Sequence, residues 1–137
     1  MIGNGYDIRV LSACSIEDHH AHLLRLDYLD RCLFFATGND DHAVDAHCLR
    51  LLSSQAIVIG AYEQGRLRAS VEIIPDRGCK RAAATLIAEP DYQTDDLAQV
   101  MMKRACDEAR KHGFDRLDMV AMTGEPHTIR TQMARFG

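Results

Sequence analysis

The chain has 137 residues, 47% of them hydrophobic and 26% charged, with three prolines and no tryptophan. That length suits one domain, expected here over residues 1–137, whose folding removes about two-thirds of the unfolded chain's surface from water; the composition excludes a long disordered or collagen-like polymer. Sixteen Lys and Arg against twenty Asp and Glu give a formal charge of −4, so a polyanion gains no overall attraction and nucleic acid is set aside as a main partner. No apolar run is long enough to span a bilayer, and the opening Met-Ile-Gly-Asn-Gly-Tyr-Asp carries neither the basic segment nor the apolar stretch of a secretory signal. The expectation is a cytoplasmic protein that does not engage a membrane. Cys14, Cys32, Cys48, Cys79 and Cys106 are odd in number and never form a Cys-x-x-Cys pair, which fits reduced thiols better than a disulfide or zinc framework.

Asp7 to Ser12 alternates around Ile8 and Val10 and predicts a strand, followed by a helix capped by Ser15 in which Ile16, His20, Leu23 and Leu24 form the apolar stripe, ending near Asp27. After the polar turn Gly38-Asn39-Asp40-Asp41, a second helix is predicted over 40–53 from Val44, Cys48, Leu51 and Leu52. The run Ala56 to Tyr62 is a strand. Leu67, Ala69, Val71 and Ile73 alternate with Arg68, Ser70 and Glu72 in the next one, and Glu63-Gln64-Gly65-Arg66 forms the hairpin turn between them. A third strand of this meander is expected over 82–87, although three consecutive alanines also suit a helix.

The pattern from Thr94 to His112 is helical, with Leu97, Met101, Ala105 and Ala109 on one stripe and Gly113 as its stop. Leu117, Met119 and Ala121 mark another strand, and a short final helix is predicted from Pro126 to about Arg135, because proline favours a first helical turn.

The order strand, two helices, three-strand meander, long helix, strand, helix predicts an α/β fold: a mixed, mostly antiparallel sheet with helices on both faces. With Ile57-Val58-Ile59-Gly60-Ala61-Tyr62, Gly65-Arg66-Leu67, Gln93-Thr94-Asp95-Asp96-Leu97-Ala98, Ala109-Arg110-Lys111-His112-Gly113-Phe114 and Ala134-Arg135-Phe136-Gly137, it resembles the GNAT N-acetyltransferase superfamily from Asp7 to Gly137. The resemblance implies a fourth strand that splays from the fifth, with acetyl-CoA or another acyl-CoA in the gap and its pyrophosphate on the amides of a glycine-containing loop at a helix amino end. It places cofactor binding on Ile87, Ala88, Gln93, Thr94, Asp95, Asp96, Leu97 and Ala98. Asp96 stands where the central glycine is expected, and its carboxylate opposes a phosphate. Asp95 and Asp96 also have a plainer role, favouring the positive end of their helix while Thr94 caps it.

The implied reaction acylates a small-molecule or protein amine, and an ammonium has no lone pair, so a base must take its proton. Glu72, on the polar phase of its strand, is the first candidate and Glu89 the second; the alternative for each is a solvated sheet-edge carboxylate. Met133 falls where the resemblance implies a tyrosine acid, and Pro126 where it implies an asparagine. The resemblance also implies further closing strands, so the sheet is expected to lack its last strands and to expose an edge that a second copy can cover as a homodimer. The other function class is a non-catalytic GNAT-like regulatory or protein-interaction domain.

His19, His20 and His22 are read as pointing in three directions, with His20 the core histidine, which disfavours a closed metal site. Cys106 is read as a packing residue. Met101, Met102, Met119, Met122 and Met133 suit either core filling or an acyl-chain groove.

Overall fold

The computed structural model describes residues 5–12, 15–35, 38–76, 78–122 and 129–136. Its elements run β1 (Asp7–Val10), α1 (Ile16–Leu24), α2 (Tyr28–Phe34), α3 (Asp41–Ser53), β2 (Ile57–Glu63), β3 (Arg66–Pro75), β4 (Arg81–Ala88), α4 (Asp95–Lys111), β5 (Arg116–Met122) and β6 (Ile129–Arg135). The six strands lie side by side in chain order; every neighbouring pair is antiparallel except β4 and β5, which are parallel and joined through α4.

Local chemistry sets most boundaries. Asp27, Asp40 and Thr94 cap α2, α3 and α4 by accepting from the amides of Asp30, Ala43 and Leu97. Ser15 stands at the cap position of α1 but makes no such bond with its side chain. In the β2–β3 hairpin both Gln64 and Gly65 have positive φ, 51° and 79°, the combination a two-residue turn needs to follow the twist of its strands.

α4 lays Leu97, Met101, Ala105 and Ala109 on one face of the sheet, against Ile59, Val71, Ile73, Ala84, Leu86 and Leu117. The alanines of β4 resolve as strand: Ala82 and Ala84 are buried on this face, and their small side chains let the helix sit close. Cys106 packs against the same cluster, its sulfur 3.9 Å from that of Met119. On the opposite face, Leu23 and Leu26 gather with Phe35, Ala43, Val44 and Ile87.

Two expectations need correction. The segment Tyr28–Phe34 is helical, although it carries no apolar stripe: it buries Asp30 and Arg31 and leaves Tyr28 and Leu29 exposed. The final helix is instead the strand β6, with Ile129↔Met122 to Arg135↔Arg116 as its register; the part of the expected helix at Pro126, His127 and Thr128 lies outside the described residues. Alternation of Thr131 and Met133 with Gln132 and Ala134 suits a strand, and pairing with β5 outweighs the local cue from proline. β6 therefore covers the edge of β5, and the edge of the sheet passes to β6 itself.

Gly60 crosses β2 where a Cβ would meet Leu67 Cδ1 at 2.6 Å and Leu11 Cδ2 at 3.0 Å. Leu67 is fully buried and has little room to retreat. Gly60→Ala should therefore lower unfolding stability by about 1–3 kcal/mol, read from the shift of the urea midpoint at unchanged slope.

Candidate functional site

β4 and β5 pair from Arg81↔Arg116 to Leu86↔Ala121. Ile87 and Ala88 carry β4 two residues further, still paired with Ser70 and Ala69 of β3, but without a partner in β5 among the described residues. The end of β4 is fixed locally. The Glu89 amide donates to the Arg68 carbonyl at 3.0 Å, and the Gln93 side-chain amide donates to the Ala88 carbonyl at 3.1 Å, so the end of β4 is tied to β3 and to its own loop. α4 starts at this end, and a cavity of about 300 Å³ opens between its first turns and the sheet, lined by Asp95, Ala98 and Met102 of α4, Met119 and Ala121 of β5, and Thr131 of β6.

The cofactor positions are divided by this geometry. Asp95 and Ala98 line the cavity, and Asp96 is exposed at the helix start. Leu97 is core, Thr94 serves as the cap, and Ile87 faces the cluster under α1 and α3. Gln93 is buried and turned away, donating to Asp30 at 2.9 Å.

Both candidate bases lie on the other face. β3 alternates, so while Ala69, Val71 and Ile73 meet α4, Ser70 and Glu72 lie under α1 and α3. Glu72 is 1% exposed and accepts from His19 Nε2 at 2.8 Å and from His47 Nε2 at 2.8 and 2.9 Å. Burial alone would raise its pKa, but the two imidazoles overcome that and hold the carboxyl at about 2. The same burial, with Glu72 and Asp45 nearby, pushes the Cys48 thiol up to about 11.

Glu89, at the end of β4, accepts from His22 Nδ1 at 3.0 Å, Arg25 Nε at 2.9 Å and Arg68 at 2.8 Å. Burial opposes its ionisation, and these donors reverse the balance and lower its pKa. His22 is fully enclosed, which lowers its pKa and keeps the ring neutral; Nδ1–H points to Glu89, and Nε2 accepts from the Ser70 hydroxyl at 3.2 Å. Ser70, His22 and Glu89 thus form a serine, imidazole and carboxylate chain. Ser70 is completely buried, so this chain carries protons rather than a nucleophile.

Neither carboxylate is the solvated sheet-edge group allowed for. His20 is likewise not the core histidine: it reaches outward to Asp45 at 2.7 Å, whereas His19 and His22, three residues apart and therefore on one face of α1, are the buried pair. His19, His22, His47, Arg25, Arg68 and Ser70 are the members sequence reasoning missed. The available signal was the i, i+3 spacing of His19 and His22 opposite the polar phase Arg68, Ser70, Glu72 of β3. Met133 sits half exposed on β6, opposite Asp118, and Pro126 lies outside the described residues.

No protein-family model matches the sequence, and no curated protein matches it. Solved structures do. The GNAT domain of S. lividans PAT superposes with a TM-score of 0.71 over 96% of this chain and 90% of its own, at 9% identity. yncA from Salmonella typhimurium, solved with its cofactor acetyl-CoA, gives 0.64 over 84% and 69% at 15% identity. PaiA N-acetyltransferase from Thermoplasma acidophilum, in complex with coenzyme A, gives 0.59 over 84% and 78% at 15% identity. The chain has the GNAT fold. In this GNAT fold the mixed sheet and the helices on both faces stand as expected. Among the described residues no helix is long and apolar enough to cross a membrane.

The buried network sets a pH dependence. The folded pKa of His22 lies below its unfolded value near 6.5, so the unfolded chain takes the proton first and stability falls as pH drops below about 6.5. Glu72, at about 2 when folded and near 4.5 when unfolded, contributes fully above about 4.5 and loses that contribution as pH falls toward 2. Urea midpoints should therefore decline in acid in two stages, and His22→Asn should flatten the stage between about pH 7 and 5 while leaving the lower one.

Proposed function

We propose that the chain is an acyl-CoA-dependent N-acyltransferase, with acetyl-CoA as the simplest donor, acting on an amine. The observation that carries this reading is the end of β4–β5 pairing at Leu86 and Ala121 among the described residues, next to the start of α4 and its cavity; beyond it the Ala88 carbonyl is taken by Gln93. A pantetheine arm is an extended chain with amide donors and acceptors, and backbone groups released from a strand ladder are its natural partners. Ile87, Ala88 and Ala98 suit that arm. The diphosphate end fits less well, since Asp95 and Asp96 carry acid to the helix amino end and Gln93 faces Asp30.

In this reading the amine nitrogen attacks the thioester carbonyl, its proton passes to the protein, the C–S bond breaks, and coenzyme A leaves as a thiolate that takes a proton from water. Glu89 is the carboxylate next to the diverging strands, and with His22 it forms the proton acceptor. Glu72, committed to His19 and His47, positions those imidazoles rather than acting as the base, because a carboxylate whose acid has a pKa of about 2 is a weak proton acceptor.

Titration of the chain with acetyl-CoA in a thermal-shift measurement tests the reading. Ligand at a hundred times its dissociation constant should stabilise the fold by about 2.7 kcal/mol, and the absence of a shift at millimolar acetyl-CoA overturns the proposal. Asp96→Gly should strengthen binding about threefold to tenfold, with the gain shrinking as salt is raised, because it removes an exposed charge facing a phosphate.

The inward-turned Gln93 and the fully hydrogen-bonded Glu89 favour a second reading, a non-catalytic GNAT-like regulatory or interaction domain, in which β6 pairs with a second copy or another partner. Under it, acetyl-CoA gives no shift and sedimentation varies with protein concentration.

A further inference from the structure

A second cavity lies on the other face of the sheet. It is lined from α1, α3 and β2, whereas the cavity beside α4 is lined from α4, β5 and β6. This second cavity has a volume of about 220 Å³ and sits between α1 and α3 over β2. Its wall is mostly apolar, built from Leu11, Ile16, Leu51, Leu52 and Val58 with two serines and Gln55, and among the described residues no Asp, Glu, Lys or Arg takes part in it. His19 is its distinctive polar member. Its Nε2–H is committed to Glu72 at 2.8 Å, which fixes the tautomer and leaves Nδ1 as a lone-pair acceptor; Nδ1 is buried and has no hydrogen-bond partner among the described residues.

We propose that this cavity is a binding site for a compact, neutral, mainly apolar molecule of about one ring, carrying a hydroxyl that donates to His19. Three features select that class. Volume sets the size, since a cavity of roughly 150 Å³ lined by aliphatic side chains accommodates benzene, and this one is larger by about the space of a small substituent. The wall sets the charge, because neither an ammonium nor a carboxylate would find a counter-charge there. The buried, unpaired Nδ1 of His19 sets the polarity: a buried polar atom left without a partner is costly, and a donor brought by the ligand removes that cost. Cys48, also in the wall, has its thiol pushed up to about 11, so it adds no thiolate at neutral pH. The site is independent of acyl transfer. It stands whether or not acetyl-CoA binds beside α4.

The probe is 4-methylphenol, compared with toluene, titrated into the full chain carrying ¹⁵N-labelled histidine. The expected result is saturable binding of 4-methylphenol, with an upfield change at the unprotonated Nδ1 of His19, and toluene weaker by about fivefold to tenfold for want of the hydrogen bond. Ala56→Phe, which fills the partly exposed mouth, should weaken 4-methylphenol at least tenfold without altering any acetyl-CoA-induced shift; Leu52→Trp, at an exposed position of the wall, serves should the first variant fail to fold. Absence of saturation at millimolar 4-methylphenol, equal affinity for toluene, a His19 Nδ1 signal that does not move, or binding indifferent to the blocking variant each overturns the proposal.

Discussion

Burying Glu72 and Glu89 beneath α1 and α3 is the constraint on which this side of the molecule depends. A carboxylate taken out of water costs several kcal/mol unless charge-assisted hydrogen bonds replace its hydration. Here the replacements come from separate elements: His19, His22 and Arg25 of α1, His47 of α3, and Arg68 of β3. Two of them, His19 and His22, fix the rotation of α1 about its axis, and His47 fixes where α3 lies across β3. The opposite face is assembled on another principle. There α4 sets four apolar side chains into a surface of valine, isoleucine, leucine and alanine, and packing does most of the positioning, with Arg104 donating to the Ile8 carbonyl at 3.4 Å.

That contrast explains which parts of the fold were legible in the sequence. α4 and the three-strand meander obey their periods, since the residues they bury are apolar. α1 was placed correctly in the chain but rotated wrongly, because its buried side includes two histidines and a hydropathy stripe assigns that side to His20 instead. α2 left no stripe at all: it buries Asp30 and Arg31, and Arg31 is held by the carbonyls of Leu24 and Asn39 and by Asp41, partners that do not exist until neighbouring segments have folded. β6 was hidden for a related reason. Pro126 is a local helix cue, whereas the ladder from Met122↔Ile129 to Arg116↔Arg135 is a tertiary fact.

The candidate site was legible to the same degree. Strand phase singled out Glu72, and position at the end of β4 singled out Glu89, so the two carboxylates were found. Their solvation was misjudged, because burial of an acid becomes affordable only once its donors are known, and those lie 21 to 67 positions away in the chain. The pyrophosphate loop was read from a motif whose outer residue, Gln93, has an internal use: it bridges Asp30 of α2 to the Ala88 carbonyl. A helix invisible to periodicity thus claimed a residue assigned to the ligand.

The two faces of the sheet meet at the last residues of β4. Arg68 receives the Glu89 amide on its carbonyl and reaches the Glu89 carboxylate with its guanidinium, so one residue of β3 grips Glu89 through both backbone and side chain. His22 and Arg25 hold the same carboxylate from α1, and Arg25 also donates to the Leu67 carbonyl, binding the bottom of α1 to the start of β3. These bonds fix the end of β4 on β3, while the Gln93 side chain takes the Ala88 carbonyl, so this end of the strand is held from both the α1 side and its own loop. A neutral residue at that position would retain the backbone bond to Arg68 but lose the side-chain bonds, leaving Ile87 and Ala88 less firmly committed to β3 and the gap between the parallel strands less sharply defined.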